Sequence, residues 1–306
     1  MNTIETTHLK KCYGKKVVVD DVSFTLREGD IYGLIGKNGA GKTTLIRMIL
    51  GLAAPTSGEI SLNGASSPEG LRTERKKIGA IVDQPSYEPH LTAYQNMKAA
   101  SLSFGLFDDE KVRHILHVVG LNADDKKPAR NFSLGMKQRL AIGLAFIGDP
   151  RILILDEPVN GLDPEGIFEV REILLRINKE FGVTILISSH MLAELSKLAT
   201  CFGIMDKGKL IKELRGGDLE ELCRPFIKVV VGDLKGALNV VVDNFHSADF
   251  EILPFNTLAF YDMSKGVAGI ASMFSSANIP VVSISQSVGD LETTFLTLLG
   301  GNTNEQ

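Results

Sequence analysis

Gly36-Lys37-Asn38-Gly39-Ala40-Gly41-Lys42-Thr43-Thr44 follows the apolar run Ile31-Tyr32-Gly33-Leu34-Ile35 and leads into Leu45, Ile46, Met48, Ile49 and Leu50 at helical spacing. A buried strand, a glycine-rich turn spaced G-x-x-x-x-G-K-[ST] and a helix start together form the context of a phosphate-binding loop. The glycines let successive backbone N–H groups converge on one anion with no Cβ in the way. The helix N-terminus adds its positive dipole end. Lys42 brings a point charge to the β- and γ-phosphates, and the Thr43 hydroxyl is a ligand for Mg²⁺. A connecting turn that merely contains Lys-Thr needs neither the strand nor the helix. The reading is therefore that this chain binds a nucleoside triphosphate.

A second stretch supplies the chemistry that such a ligand requires. Ile152-Leu153-Ile154-Leu155 reads as a buried strand that delivers Asp156 and Glu157 to a sheet edge. Two adjacent carboxylates there are costly unless a cation offsets them. Asp156 on Mg²⁺ and Glu157 as general base for water divide the work economically. Val183-Thr184-Ile185-Leu186-Ile187 is a further buried strand, closed by Ser188-Ser189-His190. A lone histidine there is most often structural, but this one falls on the edge that carries Asp156. Ile78-Gly79-Ala80-Ile81-Val82 reads as a third buried strand, followed by Asp83-Gln84-Pro85, and polar residues beyond such strands sit where open α/β sheets bind ligands. Ahead of an apolar helix, Ser133 is a cap and Gly135 leaves backbone N–H groups accessible, a second anion-binding helix start in one chain.

Between these motifs the chain alternates as half-buried strands do over residues 3–32. Tyr13, beside the Gly14-Lys15 turn, is a packing residue or a platform for a base. Residues 71–77 (Leu71-Arg72-Thr73-Glu74-Arg75-Lys76-Lys77) read as a solvated charged face, and residues 92–119 as mostly helical with Gly105 as an interruption. His114 and His117 at i, i+3 read as helix surface rather than a metal site.

Composition narrows the classes. At 306 residues the chain holds one large or two ordinary domains, and 44% hydrophobic with 23% charged residues is an ordinary globular balance. A net charge of −4 gives no reason to expect nucleic acid or anionic lipid as a partner. Cys12, Cys201 and Cys223 are too few and too scattered for a disulfide framework, which points to a reducing compartment. Met1-Asn2-Thr3-Ile4-Glu5 lacks a basic-then-apolar leader pattern, and no window reaches the roughly 18–20 apolar residues of a membrane span. A membrane role is expected to come from a partner.

Taken together, residues 4–215 resemble the nucleotide-binding subunit of an ABC transporter. Gly36 to Thr44 stands as the Walker A loop, Ile152 to Glu157 as the Walker B strand with its following catalytic glutamate, Asn160-Gly161-Leu162-Asp163 as the D-loop and His190 as the switch histidine. Tyr13 lies at the family's adenine-stacking aromatic, with Val18 among the nucleotide-contacting positions. Phe132-Ser133-Leu134-Gly135-Met136 occupies the place of the signature motif, usually Leu-Ser-Gly-Gly-Gln. Leu134 replaces its first glycine and Met136 its glutamine, while Ser133 and Gly135 remain. At the family's Q-loop glutamine stands Asp83, with Gln84 one residue later, and either can serve. These features, with the Leu91-Thr92-Ala93-Tyr94 run, resemble the subgroup linked to bacitracin resistance and lantibiotic self-protection.

The resemblance implies an α/β P-loop NTPase of ABC type over residues 1–217, with a helical subdomain at about 88–150. It implies ATP and Mg²⁺ as cofactors and a head-to-tail dimer of two copies, each ATP held between one copy's Walker A and the other's signature. It further implies a separate membrane permease as partner, a place at the cytoplasmic face of the cell membrane, and export of a peptide antibiotic, drug or other amphipathic compound. The alternatives are a nucleotide-sensing module that hydrolyses weakly, motivated by Leu134, Met136 and Asp83, and an ABC-type protein of DNA repair or ribosomes. The single phosphate loop and the absence of a basic patch argue against the last. From about Asp218 to Gln306 the pattern reads strand, helix, strand, strand, helix, strand and a final helix at 290–299. The first six elements follow a ferredoxin-like α+β order, expected to be an accessory packing or dimer-supporting domain rather than a second active site.

Overall fold

Burial in the computed structural model follows the sequence pattern closely, and the structure describes residues 2–83, 86–215, 217–218, 225–245 and 250–287. Gln84, Cys223 and the expected final helix at 290–299 lie outside the described residues. The chain divides into two compact units, Met1–Gly216 and Gly217–Gln306.

In the first unit, β1 (Asn2–Tyr13), β2 (Lys16–Arg27) and β4 (Ser57–Leu62) form an antiparallel sheet in the order β2-β1-β4. A six-stranded sheet runs β5-β6-β7-β3-β8-β9, built from β3 (Ile31–Ile35), β5 (Ile78–Ile81), β6 (Ile152–Asp156), β7 (Thr184–Ser189), β8 (Cys201–Asp206) and β9 (Lys209–Arg215). Its pairs are parallel except for β8 with β9. β3, β6 and β7 are buried along their whole length, as continuous apolar runs covered on both faces require. Parallel register brings Ile35 beside Ser189 and Asp156 beside Ser188, so the polar ends of three strands meet on one edge.

Helix α1 (Lys42–Ile49) is buried between these sheets. Its Leu45, Ile46 and Met48 join Val22, Phe24 and Leu26 of β2 and Ile152 and Ile154 of β6 in one core. A helix enclosed in this way holds its N-terminus rigidly at the sheet edge. The charged face expected at residues 71–77 belongs to α2 (Pro68–Arg75) and is only partly solvated. Leu71 packs on the core, and Arg75 turns inward to donate Nε to the Ile49 carbonyl at 2.9 Å, satisfying the C-terminal end of α1.

The remaining helices are α3 (Ala93–Ser103), α4 (Asp109–Val118), α5 (Leu134–Phe146), α6 (Pro164–Phe181) and the short α7 (Leu192–Leu195). Thr92 and Gln95 form a capping box at α3, and Gly105, at φ +68°, separates α3 from α4. His114 is exposed on α4 and lies against Phe181, ring centroids 6.0 Å apart. Strand β5 packs on α5 so closely that a Cβ on Gly79 would stand 2.0 Å from the Ala145 carbonyl oxygen. Gly79→Ala is expected to cost about 1–3 kcal/mol, the usual penalty for forced overpacking, read as a lower urea midpoint with an unchanged m-value.

The second unit is a βαββαβ fold of ferredoxin-like order. Its elements are β10 (Phe226–Val231), α8 (Leu234–Asn244), β11 (Phe250–Leu253), β12 (Thr257–Phe260), α9 (Gly266–Ser276) and β13 (Val281–Ser287). The antiparallel sheet order is β11-β12-β10-β13. Both helices pack on one face, where Ala237, Val241, Ile270 and Phe274 meet Ile227, Val229, Leu258 and Phe260.

Candidate nucleotide-binding site

Residues 36–44 leave β3 and wrap the N-terminus of α1. Gly41 caps the helix at φ +106° with no side-chain cap, and no acidic residue stands in the first turn, so the N-terminal amides are left to an incoming anion. Glycine is required twice over in this loop. A Cβ on Gly36 would sit 2.5 Å from the Met205 carbonyl oxygen, and one on Gly41 would sit 2.7 Å from that of Val18. The loop forms one wall of an open cleft shared with Lys16, Val17, Val18, Glu157 and Lys207.

Lys42 is 5% exposed. Its Nζ donates to the Gly36 carbonyl at 2.6 Å and to the Lys37 carbonyl at 3.4 Å, and it pairs with Glu157 Oε1 at 3.1 Å. The other oxygen of Glu157 lies 2.8 Å from His190 Nδ1. Lysine, glutamate and histidine thus form one chain across three strand ends. Lys42 is a cation that offsets Glu157.

Asp156, 7% exposed, accepts from Ser188 Oγ at 2.5 Å. The same hydroxyl accepts from the Glu157 amide at 3.0 Å, and that amide also faces the Ser188 carbonyl at 3.2 Å. These bonds hold Glu157 at φ +50°, a left-handed backbone uncommon for a non-glycine residue. Ser188 thereby ties the Asp156 carboxylate to the Glu157 backbone, a role its sequence position did not disclose. The only signal was two serines ending an otherwise apolar strand.

The other expected residues lie in separate groups. Ser133 caps α5, its Oγ accepting from the Met136 amide at 3.2 Å. Gly135 faces Gly166 of α6, and a Cβ on Gly135 would stand 3.9 Å from the Gly166 Cα. Leu134, which replaces a glycine of the resembling motif, is 52% exposed and lies over Gly161. Asp163 caps α6 by accepting from the Gly166 amide at 3.1 Å. Ser133, Gly135 and Asp163 do not line the cleft of this copy. Tyr13 ends β1 half exposed, with the Lys11 ammonium 4.9 Å from its ring centroid. Asp83, at φ +64°, pairs with Arg47 at 2.6 Å. Arg47, Lys16 and Lys207 were not anticipated from the sequence.

Comparison with known proteins places the whole chain. A family model described as ABC transporter matches residues 19–160. The chain is 39% identical over 298 residues to the bacitracin transport ATP-binding protein BcrA of Enterococcus faecalis, covering 97% of this chain and 96% of that one. It is 44% identical over 222 residues to the lantibiotic transport ATP-binding protein SrtF of Streptococcus pyogenes, covering 72% of this chain and 95% of that one. Among solved structures it is similar to cbiO1 from Clostridium perfringens, part of the ABC transporter complex cbiONQ, with a TM-score of 0.66 and 27% identity over 73% of this chain and 93% of that one. With the phosphate loop, the paired carboxylates and the histidine gathered on one edge of such a fold, the chain belongs to the ABC transporter family as one of its ATP-hydrolysing subunits.

Proposed function

We propose that this chain drives a separate membrane permease that exports a peptide antibiotic of the bacitracin or lantibiotic type. The observation that supports the chemistry best is the Lys42–Glu157–His190 chain at the mouth of the phosphate loop. An arriving triphosphate offers Lys42 stronger anionic partners than Glu157. Its binding then frees Glu157 to accept a proton from the attacking water, with His190 holding the carboxylate in place. The Thr43 hydroxyl and the Asp156 carboxylate are hard oxygen donors suited to Mg²⁺ and would hold it. The ion would supply charge neutralisation at the phosphate oxygens. Asp156 is aligned for that role by Ser188. Tyr13 and Val18 are the proposed contacts for the base and sugar end of ATP.

Ser133 and Gly135 make a second anion-accepting helix start that does not line the cleft of its own copy. In our reading they close on the triphosphate held by a second copy, head to tail, and Asp163 orders the turn between them and α6. ATP thereby bridges two copies, and hydrolysis releases them, turning bond cleavage into an opening motion.

The permease is proposed to dock at the cytoplasmic face of the membrane. No helix among the described residues is long and apolar enough to cross one. An apolar groove runs from edge strand β5 through Val82 and Ser86 to Phe104, Leu106, Ala141 and Leu144. Phe104 and Leu106, which line it, are about half exposed, as apolar surface at an interaction site is. A helical segment of the permease that lays an apolar face into this groove would receive the opening motion. In cells that express the chain with its permease, Leu106→Asp is expected to abolish protection against bacitracin or a lantibiotic while ATP binding of the purified chain is unchanged. Protection that survives both Leu106→Asp and a hydrolysis-deficient variant would overturn the exporter reading.

A further inference from the structure

Beyond β5, on the sheet edge that also carries Asp156, an ion pair stands outside the scheme above. Arg47, in the last turn of α1, reaches Asp83 with Nη2 and Oδ2 2.6 Å apart. Asp83 lies two residues past β5, and its left-handed backbone, tolerated by aspartate, lets the carboxylate meet the guanidinium. Both side chains are well exposed, 39% and 56%. A pair of this kind adds little to folding stability, so its worth lies in what stands beside it. The Asp83 carboxylate holds the Arg47 guanidinium above its ordinary range by hydrogen bond and charge, and Tyr13 and Asp156 add smaller effects of the same sign. Parallel register sets Ile81 of β5 beside Leu155 of β6, so Asp83 leaves the sheet on the same edge as Asp156 and Glu157 and holds Arg47 there.

Charge makes this arrangement consequential. The edge that must receive a polyanion already carries Asp156 and Glu157, and Asp83 adds a third carboxylate. An unmasked charge beside a site partly shielded from water acts on a triphosphate over several ångströms. We propose that Arg47 is a positioning residue for Asp83: it masks and aims this carboxylate so that ATP can enter a cleft made unusually acidic. The proposal rests on the nucleotide-site reading given above.

The test is ATP binding by calorimetry on the full chain, in EDTA and again with excess Mg²⁺, a readout independent of turnover. Arg47→Gln is expected to weaken ATP binding about tenfold in EDTA and less when Mg²⁺ screens the phosphates. Adding Asp83→Asn to that variant is expected to restore affinity, because no charge is left to mask. Arg47→Lys, which keeps the charge, is expected to stay within about threefold of the unaltered chain. If Arg47→Gln binds normally, the pair is a surface contact and the proposal fails. If the double variant stays as weak as Arg47→Gln, Arg47 acts on the nucleotide directly and not through Asp83, which also overturns it. An unaltered chain that binds no ATP would instead refute the nucleotide site itself, and this inference with it.

Discussion

Glu157→Gln is expected to leave ATP binding intact and to slow hydrolysis by about 10²–10⁴-fold, the usual contribution of a positioned base. The two side chains have the same shape, so the amide can keep a contact to His190, now 2.8 Å from Oε2. It cannot take a proton from water. The backbone that aims it, held by the Glu157 amide on Ser188, is unchanged. The substitution also removes the charge that pairs with Lys42 at 3.1 Å. Lys42 then has less to give up when a triphosphate arrives, so affinity should be equal or tighter. Single-turnover phosphate release beside an equilibrium binding curve separates the two effects. Because the triphosphate persists, the variant should also accumulate as an ATP-bridged dimer in sedimentation velocity. Turnover near that of the unaltered chain would remove Glu157 from the chemistry.

Where the candidate site depends on neighbours in sequence, its placement was legible before any coordinates. The loop at 36–44 has its strand, its glycines and its helix within twenty residues, and each element constrains the others. The same holds for Asp156 and Glu157, because an apolar run that ends in two acids has few places to go. The ferredoxin-like order of the second unit followed from alternation and turn residues, with strand ends shifted by a residue or two. What escaped were pairings between residues far apart in the chain. Ser188 acts on Asp156 across 32 positions and Arg47 on Asp83 across 36, and neither has a local pattern. Arg75 was misjudged for the same reason, since a charged run looks solvated until another helix end is found to need a donor. The substitution at Leu134 was visible in the sequence, but its rest over Gly161 follows only from the packing of α5 against the turn before α6.

Lys42→Ala should fail at the step before chemistry. Lys42 is almost wholly buried, and its ammonium is held by two loop carbonyls and by Glu157. Hydrogen bonds to charged groups contribute about 1.5–3 kcal/mol each, so loss of this buried cation is expected to weaken ATP binding by about 10–10²-fold per phosphate contact removed. The loop amides and the α1 dipole remain, which limits the loss and keeps it measurable. The variant also leaves Glu157 facing the cleft without its cation, and that negative charge then repels the triphosphate. Combining Lys42→Ala with Glu157→Gln should therefore recover part of the affinity and none of the hydrolysis. A thermal shift with ATP reports the same hierarchy, because stabilisation by a ligand follows its concentration relative to its dissociation constant. The unaltered chain and Glu157→Gln should gain most, the double variant less and Lys42→Ala least. ATP affinity unchanged by Lys42→Ala would mean that residues 36–44 do not hold the phosphates.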